Sequence, residues 1–226
     1  GGGSSTFVPQ LMRLFVESRP LAGSTIALMD VDARRLEVMD RLCRLLVDRL
    51  GADLTIESTT DRRESLVGAD HVITAISVGG MDAWEMDIEI PARYGLYMPT
   101  ADSIGPGGIL RAFRHIPVLA ALADAVREVS PDAWVFNYSN PLSSILTAMR
   151  RRQPEVKSVG LCTCASIPAN AATLAHWAGV SPEEVLVPAL SGGLNHCSFM
   201  LDVRLGDGSS AFPRMLEHLD EPVTRW

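Results

Sequence analysis

The reading of this chain turns on its first ten residues, GGGSSTFVPQ (residues 1–10). A Gly-Gly-Gly-Ser string at an N-terminus is what a cloning linker leaves behind. A glycine-rich turn entering a helix is also how a nucleotide-binding fold holds a pyrophosphate, because backbone N–H groups and the helix dipole converge there. The residues further along decide between the two. PQLMRLFVESR (9–19) carries Leu11, Leu14 and Phe15 at helical spacing, with Pro9 placed for a first turn. STIALMD (24–30) then reads as a buried strand closing on Asp30. DARRLEVMDRLCRLLVDRLG (32–51) puts Leu36, Met39, Cys43, Leu46 and Leu50 on one helix face and stops at Gly51, a C-cap.

The alternation continues. Strands are expected in DLTIES, HVITAIS, AWVFNYSN and KSVGLC, and helices in DRRESLVGAD, PLSSILTAMRRR and SIPANAATLAHWAG. A long helix is expected over Ile109–Val129, kinked at Pro117, and MDAWEMDIEIPARYG reads only as an acidic stretch. Strands alternating with helices predict an α/β fold with a Rossmann-like, doubly wound parallel sheet. EVLVPALSG and NHCSFMLDVRL follow one another without a helix and predict an antiparallel start to a second, α+β unit. The expected division is 1–190 for the first domain and 191–226 for the beginning of the second.

Composition narrows the function. The 226 residues are 47% hydrophobic and 21% charged with net charge -7, an ordinary globular balance that argues against nucleic acid. The basic run Arg150–Arg152 sits at a helix end, where cations suit the dipole. No apolar run approaches the roughly 18 residues of a membrane span, and no signal segment is seen, so the default location is cytoplasmic. Four cysteines in a domain this large need not form a disulfide framework.

In an open α/β sheet, ligands bind beyond the carboxyl ends of the strands. The residues there are Asp30, the bend Ser77–Gly80, Asn137 to Pro141, and Cys162 with Cys164. Asp30 stands slightly beyond the ~20-residue offset at which a Rossmann unit places a carboxylate on the ribose hydroxyls. Asp32 is the better helix cap, which leaves Asp30 free. Asn137 and Asn140 could form turns, but two amides flanking one crevice suit the orienting of hydroxyls. Cys162, Cys164, His196 and Cys197 offer soft donors for a transition metal. Without CxxC-like spacing, and read alone, they fit core thiols and a satisfied histidine better. His71, His115, His176 and His218 read as structural or surface residues.

Taken in order, GGGSSTFVPQL, LMDVDARRLE, VITAISVGG, IPARYG, DSIGPGGILRAFRHIPV, PDAWVFNYSNP, VGLC and GLNH resemble glycoside hydrolase family 4, the NAD- and metal-dependent glycosidases. The resemblance covers nearly the whole chain. It makes the opening glycines a native phosphate loop, since a linker would not run on in register with that order. It implies a fold shared with lactate and malate dehydrogenases, and a reaction outside the two-carboxylate scheme of most glycosidases. NAD⁺ takes hydride from C3 of the sugar, a base removes the acidified C2 proton, the C1 substituent is eliminated, water adds, and hydride returns. A divalent metal, Mn²⁺ above all, bridges the C2 and C3 oxygens as a Lewis acid.

By position, the resemblance implies Cys162 and His196 as metal ligands and Asn140 and Asn195 at the sugar. Gly1, Gly3, Ser4, Asp30 and Asn137 fall at the cofactor, and Asp102 becomes a proton donor or water-holding group. A small-molecule glycoside is the implied partner, with the α-anomer slightly favoured, and a homo-oligomer the implied assembly. Three departures stand out. Thr163 follows the metal cysteine, where an acid is often found. Ser77 stands where arginine is common. The first strand falls before Gly1 and the tyrosine base beyond Trp226, which implies an incomplete enzyme or a truncated homologue. Two other readings are a hydroxy-acid dehydrogenase, which would accumulate NADH, and a non-catalytic NAD-binding homologue.

Overall fold

The computed structural model describes residues 1–162, 171–194 and 197–217. It falls into two compact units, Gly1–Gly160 and Leu161–Trp226.

In the first unit, α1 (Phe7–Glu17) leads to β1 (Ser24–Met29), α2 (Ala33–Leu50) and β2 (Leu54–Thr59). β1 and β2 pair in parallel, Ser24 opposite Leu54 through Met29 opposite Thr59. The Asp32 carboxylate accepts the N–H groups of Arg34 and Arg35 and so starts α2, a cap worth about 1 kcal/mol. Gly51 ends α2 in the left-handed region at φ 61°, where a side chain would be strained. Val8, Met12, Leu28, Leu36, Cys43 and Ile56 form the core of this half. Cys43 is a core thiol, as its place in the helix stripe predicts, and burial raises its pKa to about 11.

β3 (His71–Thr74), β4 (Trp134–Asn137) and β5 (Lys157–Gly160) form a second parallel sheet in the order β3-β4-β5. α3 (Gly80–Ala92), α4 (Gly105–Val129) and α5 (Leu142–Arg152) connect these strands. Leu119, Leu122, Val126, Val135, Ile145 and Met149 are its core. The parallel α/β class is as predicted, but among the described residues β1 and β3 are not hydrogen-bonded to one another. The opening glycines lie between their carboxyl ends instead. Gly2 N–H donates to Met29 O at 2.7 Å, and a Cβ on Gly1 would overlap Ala75 O.

Three elements differ from the sequence reading. In DRRESLVGAD the expected helix is only a 3₁₀ turn at Glu64–Leu66. The acidic stretch forms α3. The long helix starts one turn earlier, at Gly105 with Pro106 in its first turn, and passes through Pro117. The early start needs glycine. A Cβ on Gly107 would lie 2.5 Å from Asp87 O and 2.6 Å from Ala101 Cβ, and one on Gly108 would lie 2.6 Å from Ser103 C. Bare backbone is what lets α4 press against the loop before it.

In the second unit, α6 (Ala171–Ala178), β6 (Val185–Leu194), β7 (Cys197–Leu205) and α7 (Phe212–Glu217) surround Leu174, Val185, Val203, Leu205 and Met215. β6 and β7 are antiparallel, as expected. The compact units divide after Gly160, before the expected boundary at 190. α6 and β6 share a core with β7 and α7, so packing groups them with the later strands. No helix among the described residues is long and apolar enough to cross a membrane.

Candidate active site

The chemistry of the first unit gathers where β1, β3 and β4 end. Asp30 follows β1. Its Oδ2 accepts Gly3 N–H at 2.9 Å and its Oδ1 accepts Asp32 N–H at 3.0 Å. Burial would raise its pKa, but these N–H groups, with the charge of the Gly1 amino group 3.8 Å away and the Val31 N–H, hold the carboxyl below its ordinary value. Asp32 caps the helix, so Asp30 is not spent on that duty. Ser4 Oγ accepts Phe7 N–H at 3.1 Å, and among the described residues no hydrogen bond engages the N–H groups of Ser5 and Thr6. A Cβ on Gly3 would meet Arg35 Cβ at 2.8 Å. The loop therefore offers glycine backbone, open donors at a helix start and an anionic carboxylate, and these fit a dinucleotide's pyrophosphate and ribose. Gly3 N–H itself is committed to Asp30.

Past β4, the two amides diverge. Asn137 is fully buried. Its Oδ1 accepts Thr74 Oγ1–H at 2.7 Å and Ser139 N–H at 3.2 Å, and its Nδ2 donates to Ser139 O at 2.9 Å. Asn137, expected at the cofactor, ties β3 to the loop after β4 through these bonds. Asn140 is half-buried. Its Nδ2 donates to Asp102 Oδ2 at 2.7 Å. Two residues assigned to the site from separate motifs are thus in direct contact.

Asp102 is presented by the loop before α4. Its Oδ1 accepts the hydroxyls of Ser103 at 3.0 Å and Thr100 at 3.2 Å. Trp84 Nε1–H donates to Thr100 O at 2.5 Å and fastens the loop to α3. Ala101 is buried with φ 46°, a left-handed conformation that costs a non-glycine residue about 1–3 kcal/mol. Its methyl fills the space left beside Gly107.

Sequence reasoning missed the basic groups under this loop. Arg111 Nε donates to Asn140 O at 3.3 Å and Nη2 to Ser77 Oγ at 3.4 Å. Arg114 meets Asp87 through two hydrogen bonds, 2.9 and 2.5 Å, and Asp87 is fully buried. His115, read from sequence as structural or surface, is fully buried. Val78 N–H donates to its Nε2 at 3.2 Å, which makes Nδ1 the protonated nitrogen, donating to Arg111 O at 3.0 Å. The helical spacing of Arg111, Arg114 and His115 was the available signal.

Burial is the main cause lowering the pKa of His115, with the charges of Arg111 and Arg114 acting the same way. The unfolded chain titrates near 6.5 and takes up a proton that the native state refuses. Stability is then full above about pH 6.5 and falls as pH drops toward the native pKa. Urea unfolding across about pH 5–7.5 should show that slope, and His115→Gln should lose most of it; a slope unchanged by the substitution contradicts the assignment.

Cys162 lies two residues past β5 and is half-buried. His196, Asn195, Thr163 and Cys164 lie outside the described residues. Among the described residues, no group of three or more His, Cys, Asp or Glu could hold a metal ion. A thiolate and an imidazole are the donor types a transition metal takes.

A family model described as Family 4 glycosyl hydrolase matches residues 1–171. An α-glucosidase of Erwinia rhapontici is 36% identical over 94% of this chain and 46% of its own length. An α-galactosidase of Bacillus subtilis is 34% identical over 98% of this chain and 50% of its own length. The 6-phospho-β-glucosidase of Thermotoga maritima, solved with manganese, NAD⁺ and glucose-6-phosphate, superposes with TM-score 0.80 at 26% identity, over 99% of this chain and 52% of that one. The chain spans about half the length of the relatives it matches.

Proposed function

We propose that this chain, which belongs to family 4 of the glycosyl hydrolases, forms the cofactor-binding part of a glycosidase. In this reading, O-glycosidic bonds are cleaved by NAD-dependent oxidation at C3, elimination and re-reduction. The observation that supports it is the 2.7 Å hydrogen bond between Asn140 and Asp102, which brings together two residues assigned to the sugar site from separate motifs. Bound NAD⁺ would supply a hydride acceptor and a divalent metal a Lewis acid. Gly1, Gly3 and Ser4 would hold the pyrophosphate and Asp30 the ribose hydroxyls, while Cys162 and His196 would hold the metal. Asn140 orients sugar hydroxyls together with Asn195. Asp102 offers carboxylate oxygens already ordered by three donors, ready to take a hydrogen bond or proton from a hydroxyl or water.

The α-glucosidase and α-galactosidase among the relatives support an α-glycoside substrate. Dependence on NAD⁺ suits a cytoplasmic setting, and a homo-oligomer completes the reading. The test is a panel of α- and β-aryl glycosides, assayed under reducing conditions with and without NAD⁺ and Mn²⁺. Hydrolysis should require both additions and leave no net NADH. Hydrolysis indifferent to NAD⁺ sinks the mechanism. NADH accumulating with a hydroxy acid would favour a dehydrogenase, and NAD⁺ binding with no turnover a non-catalytic homologue.

A further inference from the structure

We propose that Trp84 is a positioning residue of the sugar site: its indole N–H sets the loop before α4 so that Asp102 meets Asn140. The inference rests on the glycosidase reading above and concerns how that site holds its shape.

The loop between α3 and α4 has little packing of its own. Of residues 94–104, only Ala101 is buried, and only Met98 and Asp102 are half-buried. Tyr94, Tyr97 and Ile104 are 81%, 83% and 74% exposed, so burial contributes little to its path. Among the described residues, two hydrogen bonds tie residues 97–103 to other elements. Trp84 Nε1–H donates to Thr100 O, and Asn140 Nδ2–H donates to Asp102 Oδ2.

These two bonds flank the strained residue. Ala101 sits between them at φ 46°, a conformation that an alanine keeps only where its surroundings impose it. The strain and one hydrogen bond are of the same order of free energy, so one anchor alone does not fix the loop. Asn140 supplies the hold from inside the site, and Trp84 the hold from outside it. The helix that carries Trp84 is a firm base. Three residues on, Asp87 is buried and paired to Arg114 of α4. Arg111 Cζ lies 6.0 Å from the centre of the Trp84 ring, so the same indole stands beside the side chain that holds the Asn140 carbonyl.

Phenylalanine at position 84 keeps a ring and loses the donor. Without that donor, Ala101 relaxes toward negative φ and Asp102 turns away from Asn140, losing one of the three hydrogen bonds that order its carboxylate. Glycine at position 101 adopts positive φ without strain, so it restores the loop in the absence of the tether. A tryptophan that served only as packing would give neither response.

The test is a set of single and double variants of the full chain, assayed with NAD⁺ and Mn²⁺ on the aryl glycoside it cleaves best, beside hydrogen–deuterium exchange. Trp84→Phe should lower kcat/KM roughly 5–20-fold and speed exchange over residues 97–104 by a similar factor. NAD⁺ affinity serves as the control for folding. Adding Ala101→Gly should recover about threefold or more of the lost kcat/KM. Trp84→Phe combined with Asp102→Asn should be no slower than Asp102→Asn alone, because Trp84 acts through that carboxylate. Losses that multiply, a further loss on adding glycine, or loop exchange unchanged by Trp84→Phe each overturn the proposal. Where the wild-type chain hydrolyses no aryl glycoside, the glycosidase reading fails, and loop exchange in Trp84→Phe still decides the tether.

Discussion

Asp102→Asn is expected to lower kcat/KM for aryl glycosides by roughly 10²–10⁴, with NAD⁺ affinity unchanged. The substitution is nearly isosteric, so the loop should keep its path. Trp84 still holds Thr100 O, and Ala101 still packs beside Gly107. What is lost is an acceptor-only group. Asp102 takes hydrogen bonds from Asn140, Ser103 and Thr100. An amide there must turn one NH₂ toward the substrate or toward another donor, and it cannot take up a proton. If Asp102 served only to orient Asn140, then Asn140→Ala would cost as much, and the double variant no more than either alone. A direct role gives Asp102→Asn the larger loss. A loss under roughly fivefold would remove Asp102 from the chemistry.

How much of this was legible in the sequence depends on the kind of signal each element carries. α2 was readable because its buried Leu36, Met39 and Cys43 repeat at helical spacing between a capping Asp32 and Gly51. α3 was not, because its buried positions are Ala83, Asp87 and Pro91, while Met81 and Met86 are exposed. The face it buries is small, acidic and proline-bearing, so a hydrophobic pattern cannot find it. The same blindness hid the ion pair, since a buried carboxylate looks like any surface acid until its partner on α4 is seen. Asp102, in the loop between two helices, came only from the family resemblance, whereas the strand-end rule singled out Asp30, Asn137 and Asn140. It could not separate Asn137, which faces inward between β3 and β4, from Asn140 three residues later. Loop direction decides that, and loop direction comes from packing.

That hidden pair carries the largest expected effect on stability. Arg114→Met should destabilise the first unit by about 3–5 kcal/mol, because it leaves the Asp87 carboxylate buried with no hydrogen-bond donor among the described residues. For a unit of this size that is a fall in Tm of roughly 10 °C, read by calorimetry or urea unfolding. Asp87→Ala should cost less, because Arg114 is 27% exposed, keeps its bond to Leu110 O at 3.2 Å and can turn toward water. Replacing both, Asp87→Leu with Arg114→Met, should recover most of the loss, since neither charge is then stranded. The order of the three variants is the test: a double variant no better than Arg114→Met would mean that the pair is not the source. The pair also bears on the site, because Arg114 Nε reaches Val78 O at 3.4 Å and Val78 N–H holds His115. Loosening α3 from α4 should therefore raise KM at temperatures where the variant is still folded, before any loss of kcat.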